Sequence, residues 1–271
     1  MRTLYIVPTP IGNLEDITLR ALKVLRAVQL IAAEDTRRAA ILLTHYDIHT
    51  PVTSYFEHNK LAKLDRILSA LEQGDVALIS EAGTPGLSDP GYELIREAIG
   101  RGHRVVPLPG ATAAITALVA AGLPTDAFVF VGFLPRKSGE RRRALEAVRE
   151  DRRTLIFYEA PHRLPDTLND LLAICGDRAM CVARELTKVH EELWRGSIRA
   201  AIDHFGGDVR GEIVLIVAGA SETSRWDEDR VRAMLRTELD RGALATDAAK
   251  RVADLSGWSK REVYALVNRD E

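Results

Sequence analysis

The 271-residue chain predicts an α/β fold, and three observations carry that reading. Short aliphatic and β-branched runs alternate with amphipathic helical segments, and loops rich in glycine and proline come after the runs. The apolar fraction of 46% is enough to bury both faces of a sheet.

Taken in order, residues 4–7, 29–33, 76–80 and 104–107 read as strands, with helical patterns at 18–27, 60–73 and 91–101 between them. Residues 51–53 form a further strand-like run. Strand then helix, repeated, predicts a largely parallel sheet. A break at Gly122-Leu123-Pro124 precedes a second group of strand-like runs at 128–131, 154–158, 179–183, 193–196 and 213–217. Helical patterns at 139–149 and 164–175 separate the first three. Closer spacing of the later runs predicts a mixed, partly antiparallel second sheet. Ser221 to Ser224 is linker-like, and the rest of the chain is helical in pattern. There, two short helices flank a Ser256-Gly257-Trp258-Ser259 turn, as in a helix-turn-helix. The expected units are an α/β domain over 1–113, a second over 114–222 and a helical tail over 223–271.

Lys+Arg 37 against Asp+Glu 39 gives a net charge of −2, so a nucleic-acid partner has to be read from local patches. The two cysteines, Cys175 and Cys181, suit reduced thiols, and no metal site is expected. The run at 4–7 is too short for a signal peptide. The longest apolar helix, 111–123, is too short to span a bilayer. A soluble, cytoplasmic chain is expected.

Chemistry is expected where loops leave strand ends. The stretch Ser80 to Gly91 (SEAGTPGLSDPG) sets three glycines and two prolines between an apolar strand and a helix, so its backbone can approach a ligand closely. It lacks the Gly-Lys-Ser/Thr ending of a P-loop and the spacing of a dinucleotide fingerprint. Pro8-Thr9-Pro10-Ile11-Gly12 and Pro107-Leu108-Pro109-Gly110 are similar loops after the first and fourth strands, and together the three predict the walls of one cleft. Asp89 is expected to cap the helix after it. Glu34-Asp35-Thr36-Arg37-Arg38 is either a capped helix start or part of the site, and the site role is slightly preferred. Glu57-His58-Asn59 places a carboxylate, an imidazole and an amide on the same sheet edge. Between residues 136 and 153, eight basic and four acidic residues form the strongest basic run, either a solvated face or a phosphate track.

Eight segments in order, PTPIGNLEDIT, AEDTR, SYFEHN, SEAGTPGLSDPG, PLPGATAAITAL, GFLPRK, YEAPHR and ELTKVHEE, closely resemble the tetrapyrrole methylase superfamily. Within it they resemble the bacterial enzymes that methylate small-subunit ribosomal RNA. The resemblance spans about residues 3 to 219, and the helical tail matches as well. It implies two α/β domains of the class III methyltransferase type with S-adenosylmethionine between them. It further implies methyl transfer to the ribose 2′-hydroxyl of a decoding-centre cytidine in 16S rRNA, on the assembled small subunit, by a homodimer. The cofactor would lie against Pro8, Pro10, Gly83, Thr84, Pro85, Ala111, Thr112, Phe157, Tyr158, Leu186, Gly211 and Glu212.

A ribose hydroxyl is a poor nucleophile while protonated, so a base is expected from Asp35, Glu57, His58 or Glu81, with Asp35 or Glu81 preferred. Arg37, Arg136, Lys137 and Arg163 are the candidate rRNA contacts. Two other readings stand beside this one. A tetrapyrrole or other small molecule could be the substrate, against which the basic run and the tail argue. A ligand-sensing DNA-binding regulator would use the tail, against which its near-balanced charge argues.

Overall fold

The computed structural model describes residues 2–55, 60–221 and 226–267. The first sheet is built by β1 (Thr3–Ile6), β2 (Leu30–Ala33), β3 (Val52–Ser54), β4 (Val76–Ile79) and β5 (Arg104–Pro107), joined by α1 (Leu19–Ala27), α2 (Thr36–His45), α3 (Lys60–Gln73) and α4 (Tyr92–Gly100). All its pairings are parallel and the order is β3-β2-β4-β1-β5. Both faces are covered, which explains why β4 is apolar at every position. Val76 and Leu78 point toward α3 and α4, while Ala77 and Ile79 point toward α1 and α2.

Helix α5 (Ala113–Ala121) leads into the second sheet, formed by β6 (Phe128–Phe133), β7 (Thr154–Glu159), β8 (Ala179–Arg184), β9 (Glu192–Ser197) and β10 (Ile213–Val217). Its order is β6-β7-β10-β8-β9; β6 and β7 are parallel and the other pairs antiparallel. Period-two alternation again sorts the side chains. Ile213, Leu215 and Val217 join a core with α6 (Ser138–Val148), α7 (Leu164–Cys175) and α8 (Ile198–His204). Val214 and Ile216 face Ala114, Ala117 and Leu118 of α5. Near-continuous alanine on that face lets the helix lie close to the sheet.

The strands and most helices lie within one or two residues of the sequence expectation. Two helices, α2 and α8, go beyond it. Asp35 caps α2 and Ser197 caps α8, each accepting a backbone N–H of the first turn. Both sheets belong to one body, Met1–Gly219.

The C-terminal unit, from Ala220, holds α9 (Glu228–Asp240), α10 (Ala245–Ser256) and α11 (Lys260–Val267) around a core of Val231, Leu235, Val252, Val263 and Leu266. Gly257, at φ 68°, ends α10 in the left-handed conformation. Ser259 and Glu262 cap α11 reciprocally, each accepting the other's backbone N–H.

Candidate active site

Three loops meet at the carboxyl edge of the first sheet, at the place where open α/β sheets bind ligands. The loop after β1 pairs with the loop after β4 through a two-hydrogen-bond bridge, Thr9 N–H to Gly83 O and Gly83 N–H to Thr9 O, both 2.9 Å. Gly83 takes φ 78°, which permits that bridge without a side-chain penalty. Thr84 Oγ1 donates to Ala111 O at 3.0 Å, tying in the loop after β5. Pro8 packs so closely on Gly110 that a Cβ at 110 would lie 2.5 Å from the Pro8 Cβ.

The second sheet closes the other side. Asn13 N–H donates to Thr187 Oγ1 at 3.2 Å. Glu185, at φ 52°, accepts the Glu212 N–H at 2.9 Å and pairs with Lys188 at 2.8 Å. Gly211, at φ 95°, has the Glu185 side chain where its Cβ would be, so the turn before β10 can hold only glycine without rearrangement. From above, a bulge in β6 at Gly132, φ 75°, re-aims Phe133 over the cleft and seats Ser88 beneath it. Phe133 meets Tyr158 edge-on at 5.4 Å.

The enclosed cleft measures about 370 Å³, within the range of small-molecule sites. Gly83, Thr84, Thr112, Tyr158, Leu186 and the Gly211-Glu212 pair line it. An adjoining chamber of about 320 Å³ shares Ile11, Arg38, Glu81, Ala82 and Glu212 with it and adds Pro10. Pro8, Pro85 and Ala111 sit behind the wall: their loops shape it, but their side chains do not line it. Phe157 is a different case. It is wholly buried among Leu155, Leu164 and Leu215 on the far face of the sheet, because neighbouring strand residues point to opposite sides and Tyr158 takes the cleft face.

The expected base candidates divide. Glu81 lines both chambers, its carboxylate 3.3 Å from Arg38 Nε. Asp35 lines neither. Its carboxylate accepts Arg37 N–H and Arg37 Nη2 at 2.7 Å each, and the Arg37 hydrogen bonds hold it at about 2, where it has little basicity. The capping role therefore displaces the site role for Asp35, and Arg37 is its partner at the exposed edge. Glu57 and His58 lie outside the described residues. Arg136 and Lys137 are exposed, with Lys137 3.4 Å from Glu140. Arg163 is not available to a phosphate. It donates to Leu134 O and Pro135 O and faces Glu159 at 3.3 Å, with 13% of its side chain exposed.

Sequence reasoning missed Phe133 and read Asp89 as a cap, while Glu34 and Arg38 entered it only as members of one charged stretch. Burial, chiefly, raises Glu34, whose carboxylate accepts Glu81 N–H at 3.3 Å. Asp89 lines the cleft instead of capping α4, whose N-cap is Gly91 and which has no side-chain cap. The N-terminal acid in SDPG signals a cap by habit; only the fold shows the loop turning it inward. Thr112 lines the cleft, but its Oγ1 is covered and sits beside the Tyr158 phenol. Among the described residues no group of His, Cys, Asp and Glu is arranged to hold a metal ion, and no helix is long and apolar enough to cross a membrane.

Comparison with known proteins agrees with this architecture. Residues 3–202 match the family model for tetrapyrrole (corrin/porphyrin) methylases. The chain is 46% identical over 276 residues to ribosomal RNA small subunit methyltransferase I of Halalkalibacterium halodurans, covering 99% of this chain and 95% of that protein. It is 48% identical over 269 residues to the protein of the same name from Escherichia coli O157:H7, covering 96% and 93%. Among solved structures, uroporphyrin-III C-methyltransferase from Thermus thermophilus, complexed with S-adenyl homocysteine, shares the fold with a TM-score of 0.58. That match has 17% identity and covers 80% of this chain and 97% of that one. Fold, cleft and near-full-length identity converge: the chain belongs to the tetrapyrrole methylase family, in the branch of ribosomal RNA small subunit methyltransferase I.

Proposed function

We propose that this protein transfers the methyl group of S-adenosylmethionine to the ribose 2′-hydroxyl of a cytidine in the decoding centre of 16S rRNA. It acts in the cytoplasm, on the assembled small ribosomal subunit, as a homodimer. What carries the reading is one mostly apolar cleft, walled by the Gly83-Thr84 loop, Tyr158 and Leu186 and edged by carboxylates, in a chain whose relatives are named for small-subunit rRNA methylation.

The residues fit the cofactor. When bound, it supplies an electrophilic methyl group. The Gly83-Thr84 backbone offers polar partners, and Leu186 and Tyr158 offer apolar surface. Burial, first of all, raises Tyr158, which keeps the phenol protonated. Such a wall excludes water and holds the reacting groups in register, and positioning of this kind supplies about 7–11 kcal/mol of barrier reduction. Carboxylates at the rim stand where a hydroxyl proton must leave.

The rRNA reading is favoured over a tetrapyrrole by the exposed cations along α6 and its approach, Arg136, Lys137, Arg142 and Arg143. Arg141 is not one of them: it is buried against Asp170 at 2.7 Å, a structural strut. If Arg136 and Lys137 contact phosphates, replacing both by alanine lowers affinity for small subunits and flattens the salt slope by about two. A filter-binding series in potassium chloride measures it, and an unchanged slope removes the pair from the RNA surface.

For the dimer, α5 offers a face on which Ile115 and Val119, one turn apart, are 41% and 69% exposed. Val119→Glu is expected to yield monomers in light scattering. A dimer that survives the substitution puts the contact elsewhere.

The function itself is tested by offering labelled S-adenosylmethionine with small subunits from a methylation-deficient strain, a tetrapyrrole and duplex DNA in parallel. Label in the subunits alone is the expected result. Label in the tetrapyrrole supports the alternative, and DNA binding without any transfer supports the regulator.

A further inference from the structure

We propose that Asp89 is a catalytic residue of the methyl transfer, accepting the proton of the ribose hydroxyl. This rests on the function proposed above and names the group that performs its proton step.

Geometry singles out this carboxyl. Asp89 lines the cleft together with Thr84, Thr112, Phe133 and Tyr158. The loop that carries it is held in a shape few sequences allow. Ser88, at φ 65°, is seated under the β6 bulge, where a Cβ at Gly132 would come within 2.9 Å of its Oγ. Gly91, at φ 155°, packs against Leu78 and Gly86 so that its Cβ would meet them at 3.1 and 3.3 Å. Left-handed backbone at Ser88 and a turn that needs glycine at 91 fix the loop on either side of this acid, which lines the cleft.

The other acids near the cleft have partners. Glu81 faces Arg38, Glu34 accepts the Glu81 N–H, and the Glu159 carboxylate is enclosed by Thr167, Ala160 and Arg163. Asp89 has Ser80 beside it and no cation among the groups that set its acidity. The titratable groups that act on it are Glu34 from the end of β2, Glu81 from its own loop and Tyr158 from β7, and Arg38, Glu159 and Glu212 line the same cleft.

Burial, then repulsion from Glu34, pushes the Asp89 carboxyl up to about 7, while the Ser80 hydrogen bond opposes the rise. A carboxylate with that affinity for protons is a far better base than an ordinary aspartate, half ionised near neutral pH and mostly ionised above it. In the step, the hydroxyl oxygen bonds to the methyl carbon as its proton passes to an Asp89 carboxylate oxygen. The electron pair of the broken carbon–sulfur bond remains on sulfur, which becomes a neutral thioether.

The test is a single-turnover pH profile on methylation-deficient small subunits, from about pH 5.5 to about 8.5, for the wild type and for Asp89→Asn and Asp89→Glu. The wild-type rate is expected to rise with pH and bend near neutrality, because the ionised carboxylate is the active form. Asp89→Asn is expected to lose about 10²–10⁴-fold and to have no bend. Asp89→Glu is expected to keep a bend. Saturating S-adenosylmethionine in every assay keeps cofactor affinity out of the measured rates, which separates proton transfer from loss of the site. An Asn variant with the wild-type rate and bend overturns the assignment while leaving the function intact. A wild type that methylates no ribose at any pH overturns the function and the assignment with it. Should the Asn variant fail to fold, a wild-type profile without a bend near neutrality overturns the assignment alone.

Discussion

Replacing Glu159 by alanine is expected to cost about 3–5 kcal/mol of folding stability and to open the cleft wall. Its carboxylate is fully covered. It accepts Ala160 N–H at 2.8 Å and Thr167 Oγ1–H at 2.6 Å, and it lies 3.3 Å from Arg163 Nε. Arg163 in turn donates to Leu134 O and Pro135 O, pinning the end of β6 to the start of α7. With the carboxylate gone, a guanidinium only 13% exposed loses its countercharge and Thr167 loses its acceptor. Ala160 and Pro161, which wall the cleft, hang on the same hydrogen bonds. Urea denaturation measures the loss. Removing both charges, as Glu159→Leu with Arg163→Met, is expected to recover most of it, because no unpaired charge then stays buried. A single alanine variant within about 1 kcal/mol of wild type contradicts the assignment of this pair as the strut of the cleft.

A second large effect is expected from one methyl group. Gly110→Ala places a Cβ 2.5 Å from the Cβ and 2.9 Å from the Cγ of Pro8, between the loops after β1 and β5. Neither side can yield cheaply, since one is a proline ring and the other leads within two residues to Thr112. The overpacking costs about 1–3 kcal/mol. Displacing Thr112, part of the cleft wall, should weaken S-adenosylhomocysteine binding by about tenfold. Gly139 provides the control. A Cβ there meets nothing within 4 Å, so alanine should leave affinity unchanged. Equal affinities for the two variants in calorimetry contradict the view that Pro8 and Gly110 lock the cleft.

Much of this was legible in the sequence because strand ends announce themselves chemically. Pro8, Gly83, Pro85 and Gly110 stand close after apolar runs, and the structure laces those loops together through Thr9, Gly83 and Thr84. Neighbouring residues were harder to tell apart. Phe157 and Tyr158 are both aromatic, and only strand phase decides which enters the cleft. Asp35, Arg37 and Arg38 share one charged stretch. Helix α2 puts the first two at its cap and sets Arg38, still exposed, beside Glu81 at the cleft rim. Asp89 shows the limit most sharply. Its place depends on left-handed backbone at Ser88, which no propensity reveals. Likewise the basic run reads as one patch, yet Arg141 is inside the fold and Arg153 is paired with Asp151.

The cleft is held to direct a methyl group to a ribose of small-subunit RNA, and nucleoside mass spectrometry tests that most directly. Small subunits from a methylation-deficient strain are incubated with the protein and S-adenosylmethionine, and their 16S rRNA is digested and mapped. A single new 2′-O-methylcytidine, in the decoding centre, is the expected result. A methyl group on a base, on a different nucleotide, or nowhere in the RNA contradicts it.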